Sequence, residues 1–203
     1  MPEINQDTEA KIKEAAKRVF VQKGFDGAKV RDIAEAAGVN IALMNYYFRS
    51  KEQLFEKIYF EELVNFFGRI VMVLNQPTPF EVKVWQLADK YIDFLLENPQ
   101  LPTFILAEFQ RRDGAIFKKL NVGEVLRQSF FAQQLKQEIE LGNFRKIEPL
   151  QVIVTLLGNI VFPFVAKPMI QFIGDLDDTS FQAFVQERKQ IVPELVMTFL
   201  KNK

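Results

Sequence analysis

The chain has no cysteine and no histidine. Without them it can form no disulfide, no thiolate nucleophile, no Cys/His zinc site and no histidine acid–base pair. Charge of neither sign prevails: 26 Lys and Arg balance 26 Asp and Glu, so bulk charge does not point to a nucleic-acid partner. The sequence contains no G-x-G-x-x-G or G-x-x-x-x-G-K phosphate loop and no G-x-S-x-G serine elbow. The acidic pairs Glu61-Glu62 and Asp177-Asp178 are neighbours in sequence, and neighbours on a helix do not face each other. Glu138 and Glu140 carry no metal-ligand pattern. An enzyme therefore has no visible reacting group, and neither a cofactor nor a metal is expected. Residues 1–7 lack the basic and apolar segments of a signal peptide. The most apolar run, 152–166, is too short to cross a bilayer and contains Asn159 and Pro163. A cytoplasmic setting without a membrane partner is expected.

The apolar residues make up 48% of the chain, and phenylalanine alone accounts for 21 residues. That is enough for a sizeable core, and the periodicity is helical throughout. Ile12, Ala15, Ala16, Val19 and Phe20 form a stripe at helical spacing. It predicts a first helix over 8–23, stopped by Gly24. Further helices are predicted over 30–37, 41–47 and 51–74. Thr78-Pro79-Phe80-Glu81 reads as a capping box with proline at the first helical position, opening a helix that ends at Asn98-Pro99. The next spans 102–112 and is closed by Gly114. A helical stretch over 115–141 is expected to break near 121–123, with Gly142 as its cap. Two long helices follow, over 149–173 with bends near Pro163 and Pro168, and over 179–200 with Pro193 inside. No strand alternation and no repeat is present. The fold class is all-α, with about nine helices: a headpiece of three helices at 6–66, sharing the start of helix four, and a helical domain at 67–203.

The segment 28–51, AKVRDIAEAAGVNIALMNYYFRSK, carries the most information. Ile33, Ala34 and Ala37 share one face of a short helix. Gly38 stands where a left-handed cap is needed, and Asn40 suits the N-cap of the next helix. Met44 and Phe48 lie four residues apart and can anchor that helix from behind. A short helix held in this way, with its other face turned outward, is how a recognition helix enters the major groove. Residues 1–52 hold nine Lys/Arg against eight Asp/Glu, so affinity for DNA must come from local placement. Ser50 to Gln53 reads as another capping box, and Lys51 beside the free N–H groups of that helix start suits a phosphate.

This segment resembles the DNA-binding part of the tetracycline-repressor (TetR) family. The matching residues are Arg31, Asp32, Ile33, Ala34, Ala37, Gly38, Val39, Tyr46, Tyr47, Phe48, Ser50 and Lys51. The likeness covers about the first quarter of the chain. Where the family often carries small or polar residues, this chain has Ile41, Ala42 and Leu43. The resemblance implies a homodimeric regulator, most often a repressor, acting on a palindromic double-stranded DNA operator. The expected DNA-contacting residues are Lys29, Arg31, Asn40, Ile41, Ala42, Leu43, Asn45, Tyr46, Tyr47 and Lys51. Of these, Lys29, Arg31 and Lys51 are expected on phosphates, and Ile41, Ala42 and Leu43 on thymine methyls.

The aromatic residues at helical spacing mostly read as core. Rings on crossing helices can also leave a pocket, and family members commonly have one. On that reading Phe66, Phe67, Trp85, Tyr91, Phe104, Phe109, Arg127 and Phe130 are candidates for binding an apolar or amphipathic small-molecule effector. The stripes in 149–202 are expected to form the homodimer contact, which the resemblance implies to be a four-helix interface. The alternative function is a helical ligand-binding or protein-interaction module whose headpiece no longer binds DNA.

Overall fold

The computed structural model describes residues 6–111 and 120–202. Among these residues there is no strand and there are eleven helices. They are α1 (Gln6–Gly27), α2 (Val30–Ala37), α3 (Ile41–Tyr47), α4 (Lys51–Leu74), α5 (Phe80–Glu97), α6 (Leu101–Arg111), α7 (Val122–Arg127), α8 (Phe130–Glu140), α9 (Pro149–Val165), α10 (Lys167–Gly174) and α11 (Asp178–Lys201). The expected closure at Gly114 and the expected helix start at 115 lie outside the described residues.

Contacts divide the described chain into two units. The first holds residues 6–65 with 104–111, and the second holds 66–103 with 120–202. In the first, the predicted stripe Ile12, Ala15, Ala16, Val19 and Phe20 is buried along α1. Each fully buried large apolar side chain of this kind contributes about 1.5–3 kcal/mol. α1 breaks at Gly24, whose φ of 67° and ψ of 177° suit glycine almost alone. The chain then folds back so that the Phe25 ring meets the Phe55 ring edge-on at 5.0 Å. Three ion pairs tie α1 to α4: Lys13–Glu61, Lys17–Glu62 and Lys57–Glu9, at 2.6, 2.8 and 2.6 Å.

Residues 104–111 of α6 belong with this unit, whereas the sequence reading assigns them to the second domain. The reason is a tertiary contact. Phe104 packs against Phe55 and Tyr59 at 5.9 and 5.7 Å, and the Tyr59 hydroxyl donates to the Ile105 carbonyl at 3.0 Å.

In the second unit α5 buries Phe80, Val84, Leu87, Ala88, Tyr91, Ile92 and Leu95, and it packs against α8, α9 and α11. Phe80 stacks on Phe131 at 4.5 Å. α9 and α10 are separate helices bent by 74°, and the break falls at Ala166, ahead of Pro168. Pro163 sits within α9 without ending it. The 115–141 stretch breaks at Asn121, which is left-handed at φ 48°. It breaks a second time at 128–129, where Ser129 caps α8 by accepting from the Ala132 N–H at 3.2 Å. No single helix among the described residues is long and apolar enough to cross a membrane.

The capping box expected at Thr78 does not form. α5 begins one residue later, with Pro79 in the cap position and no side-chain cap bond. The Thr78 hydroxyl is buried without a hydrogen-bond partner. Its carbonyl instead accepts from Lys83 Nζ and from Gln134 Nε2. Lys83 is fully buried, donates also to Gln134 Oε1 at 2.8 Å, and lies 4.5 Å from the centre of the Phe130 ring.

Burial lowers the Lys83 pKa below the ordinary lysine value. The unfolded chain therefore holds this proton to higher pH than the folded chain does. Wild-type stability, measured against Lys83→Met, should rise as pH climbs from the lowered folded value towards 10.5. Lys83→Met should cost less than Lys83→Ala, because its side chain fills the same volume, although Gln134 Oε1 loses its donor in both. Lys83→Ala should cost about 2–4 kcal/mol, because it leaves a cavity and takes the donor from Gln134 Oε1, while the Thr78 carbonyl keeps its bond from Gln134 Nε2. Denaturant titrations from neutral pH upward check both effects. A wild-type to Lys83→Met difference that stays constant with pH would show that the amine is not held charged against its burial.

Candidate nucleic-acid interface

α2 and α3 are joined by the turn Gly38-Val39-Asn40, and its geometry is set locally. Gly38 has φ 67° and ψ 30°, the left-handed conformation that costs glycine least. Its N–H donates to the Glu35 carbonyl at 3.1 Å, and the Val39 N–H donates to Ala34 at 3.0 Å. This pair of bonds satisfies carbonyls that the helix end would otherwise leave open. Asn40 then caps α3: its Oδ1 accepts from the Leu43 N–H at 2.7 Å. Ser50 caps α4 through the Gln53 N–H at 3.2 Å.

α3 is anchored from one side. Met44 is 0% exposed and Phe48 is buried beside it. Ile41, Ala42, Asn45 and Tyr46 are exposed, while Leu43 and Tyr47 are half-buried. The exposed four fall at positions i, i+1, i+4 and i+5, so they share one helix face. The Tyr46 and Tyr47 rings meet edge-on at 5.5 Å. Of the expected contacts, the structure brings these four together on an open surface. The Asn40 side chain is engaged in its cap.

The cations fall into two groups. Lys13, Lys17, Lys23 and Lys57 are held in ion pairs within the unit. The Lys23 ammonium lies 2.6 Å from Asp32, and its hydrogen bond holds that carboxyl below the ordinary aspartate value. Lys29, Arg31 and Arg49 are exposed. Arg49 was absent from the expected contacts, although it directly follows the Tyr-Tyr-Phe end of α3. Position was the only signal available for it.

Lys51 corrects the sequence reading. Its ammonium does not lie open at the start of α4. It donates to the carbonyls of Phe25 and Ala28 at 3.0 and 3.1 Å, and it sits 4.2 Å from the centre of the Phe25 ring. Arg111 reaches the same ring at 4.5 Å. Carbonyls left over by the end of α1 and by the turn into α2 compete successfully for this cation. Lys51→Ala should therefore destabilise the headpiece by about 1–2 kcal/mol and leave the salt dependence of DNA binding unchanged. Arg31→Ala and Arg49→Ala should each lower the logarithmic salt slope by about one per subunit. Thermal melts and DNA titrations at several salt concentrations separate the two effects. A slope change for Lys51→Ala equal to that for Arg31→Ala would restore Lys51 to the phosphate.

The effector candidates divide between the units. Phe104 lies in the core of the first unit, and Phe109, in the same unit, is partly exposed. In the second, Phe66 packs on Phe67, Tyr91 and Phe94 at 5.2, 5.3 and 6.5 Å. The Tyr91 hydroxyl donates to the Phe66 carbonyl at 3.2 Å. Phe130 lies under the Lys83 ammonium, with its N–H bonded to Asn75 Oδ1 at 3.1 Å. Arg127 is exposed and paired with Glu124 at 2.8 Å. Trp85 lines an open groove of about 600 Å³ together with Gln86, Asp89, Lys189 and Gln190.

The family profile described as "Bacterial regulatory proteins, tetR family" matches residues 12–58, the span from the buried face of α1 to the first half of α4. Over 173 residues the chain is 28% identical to YttP of Bacillus subtilis (strain 168), a protein named as a probable HTH-type transcriptional regulator. That alignment covers 83% of this chain and 81% of YttP. It is 24% identical over 166 residues to the HTH-type transcriptional repressor AcnR of Corynebacterium glutamicum, covering 77% of this chain and 79% of AcnR. Among solved structures, the transcriptional regulator FadR of Bacillus subtilis, in complex with stearoyl-CoA, superimposes with a TM-score of 0.64. The sequence identity there is 18%, with 94% of this chain and 98% of FadR covered. The capped turn and the anchored α3 thus lie in a DNA-binding region of the TetR family at residues 12–58, in a chain that is similar over most of its length to HTH-type transcriptional regulators.

Proposed function

We propose that the chain is a cytoplasmic homodimeric repressor that holds a palindromic operator and is released by an apolar or amphipathic small molecule. The observation that carries this reading is the open face of α3, Ile41, Ala42, Asn45 and Tyr46, over the buried Met44 and Phe48. A headpiece with the Gly38, Asn40 and Ser50 caps and the Met44 and Phe48 anchors in place disfavours a non-functional remnant. Lys29, Arg31 and Arg49 supply phosphate contacts around that face.

The dimer reading is supported by two exposed apolar stripes in the second unit. α9 exposes Leu150, Val154 and Phe162, and α11 exposes Ile191, Leu195 and Phe199. The two helices are linked by Arg188, which donates to the Asn159 carbonyl at 2.9 and 3.2 Å. Two-fold pairing of such stripes sets two recognition helices at a fixed spacing.

α4 begins directly after the α3 segment and continues past residue 65 into the second unit. An effector that shifts α4 would change DNA affinity only if it prefers one arrangement of the dimer over the other. Reciprocity then requires operator DNA to weaken effector binding by the same factor. The FadR likeness makes stearoyl-CoA the first compound to titrate. Calorimetry with and without saturating operator should give affinities that differ about 5–150-fold. Equal affinities would exclude this compound as the releasing effector.

A further inference from the structure

We infer that α3 reads A·T base pairs, through thymine methyl groups and a single amide, and does not read guanine. The inference rests on the proposed role of α3 and names the DNA sequence class that this helix accepts.

The recognition segment Ile41–Tyr47 contains no lysine and no arginine. Direct reading of guanine in the major groove depends mainly on a cation donating to its N7 and O6 acceptors. The cations nearby lie off the helix. Lys29 and Arg31 stand at the start of α2, which crosses the backbone in a helix-turn-helix, and Arg49 follows α3. Asn40 carries an amide, but its oxygen accepts from the Leu43 N–H at 2.7 Å. Asn45 is thus the one exposed amide on the helix, suited to the N6 and N7 of adenine.

The rest of the exposed face is apolar or aromatic. Ile41 is 45% exposed and Tyr46 is 49% exposed, with Ala42 beside them. The thymine C5 methyl is the apolar group that the major groove offers to such side chains. Against a G·C pair Ile41 and Ala42 would cover the guanine acceptors or the cytosine amine without replacing their water bonds, a cost that selects against G·C. The face therefore favours thymine by contact and disfavours G·C by desolvation.

The test uses the full chain and a pool of random-sequence duplexes. Selection should enrich a symmetric site whose half-sites are A·T-rich at the positions under α3. Replacing thymine by uracil at those positions removes only the methyl, and should weaken binding about fourfold for each methyl contacted. In Ile41→Ala one of these uracil penalties should vanish while the melting temperature stays unchanged, because Ile41 is exposed. Enriched half-sites that require guanine under α3, or full indifference to uracil, would overturn the inference while DNA binding stood. Failure to enrich any duplex would overturn both this inference and the DNA-binding reading beneath it.

Discussion

Phe162→Glu is expected to turn the dimer into a folded monomer and to weaken operator binding by a factor of about 10²–10⁴. Phe162 is 55% exposed in the isolated chain, so the substitution should scarcely change the stability of a single subunit. In a two-fold interface each substitution counts twice, because the same patch is used on both subunits. Two carboxylates would be taken out of water there without partners, which costs several kcal/mol. One headpiece alone covers one half-site and loses the gain from binding both at once. Sedimentation at about micromolar concentration, paired with operator titration, reads both effects. A folded wild-type monomer, or an unchanged dimer in the variant, would remove α9 from the interface.

Met44→Ala should abolish DNA binding and leave the dimer intact. Met44 is fully buried behind α3, and truncating a buried residue of this size costs about 2–5 kcal/mol. α3 is seven residues long, far short of the length at which a helix holds itself in water. Its order depends on that anchor, on Phe48 and on the Asn40 cap. The loss is large against the 5–15 kcal/mol that holds a typical domain. Amides of 30–48 should exchange faster with solvent, whereas those of α9 and α11 should not change. Wild-type DNA affinity in Met44→Ala would mean that α3 is held by something other than this core contact.

The difference between Met44 and Lys51 shows which parts of the site were legible in the sequence. Met44 and Phe48 are apolar at helical spacing, and the flanking Gly38, Asn40 and Ser50 each act on backbone within three or four residues. Such signals are local, and the α2–turn–α3 unit could be read from them. Lys51 reaches carbonyls 26 and 23 residues away, and no local pattern marks that contact. Thr78 failed as a cap for a related reason. Lys83 and Gln134, the latter from α8, claim its carbonyl, and the helix starts one residue later. The 128–129 break hangs on one serine hydroxyl and was hidden inside an otherwise helical pattern. The grouping of 104–111 with the headpiece depends on Phe104 meeting Phe55 and Tyr59, a contact that spacing cannot reveal. Among the aromatic residues, spacing alone does not separate a ring packed in a core, such as Phe66, from one lining an open groove, such as Trp85.

The most direct test of the central claim is hydroxyl-radical footprinting of the full chain on duplexes selected from genomic DNA, repeated across a range of salt. Two protected half-sites with two-fold symmetry are expected, their centres about 34–36 Å or a multiple of that apart. Affinity should fall steeply as salt rises, and protection should vanish in Met44→Ala. Protection that is uniform along every duplex, or DNA binding that survives loss of the α3 anchor, would contradict it.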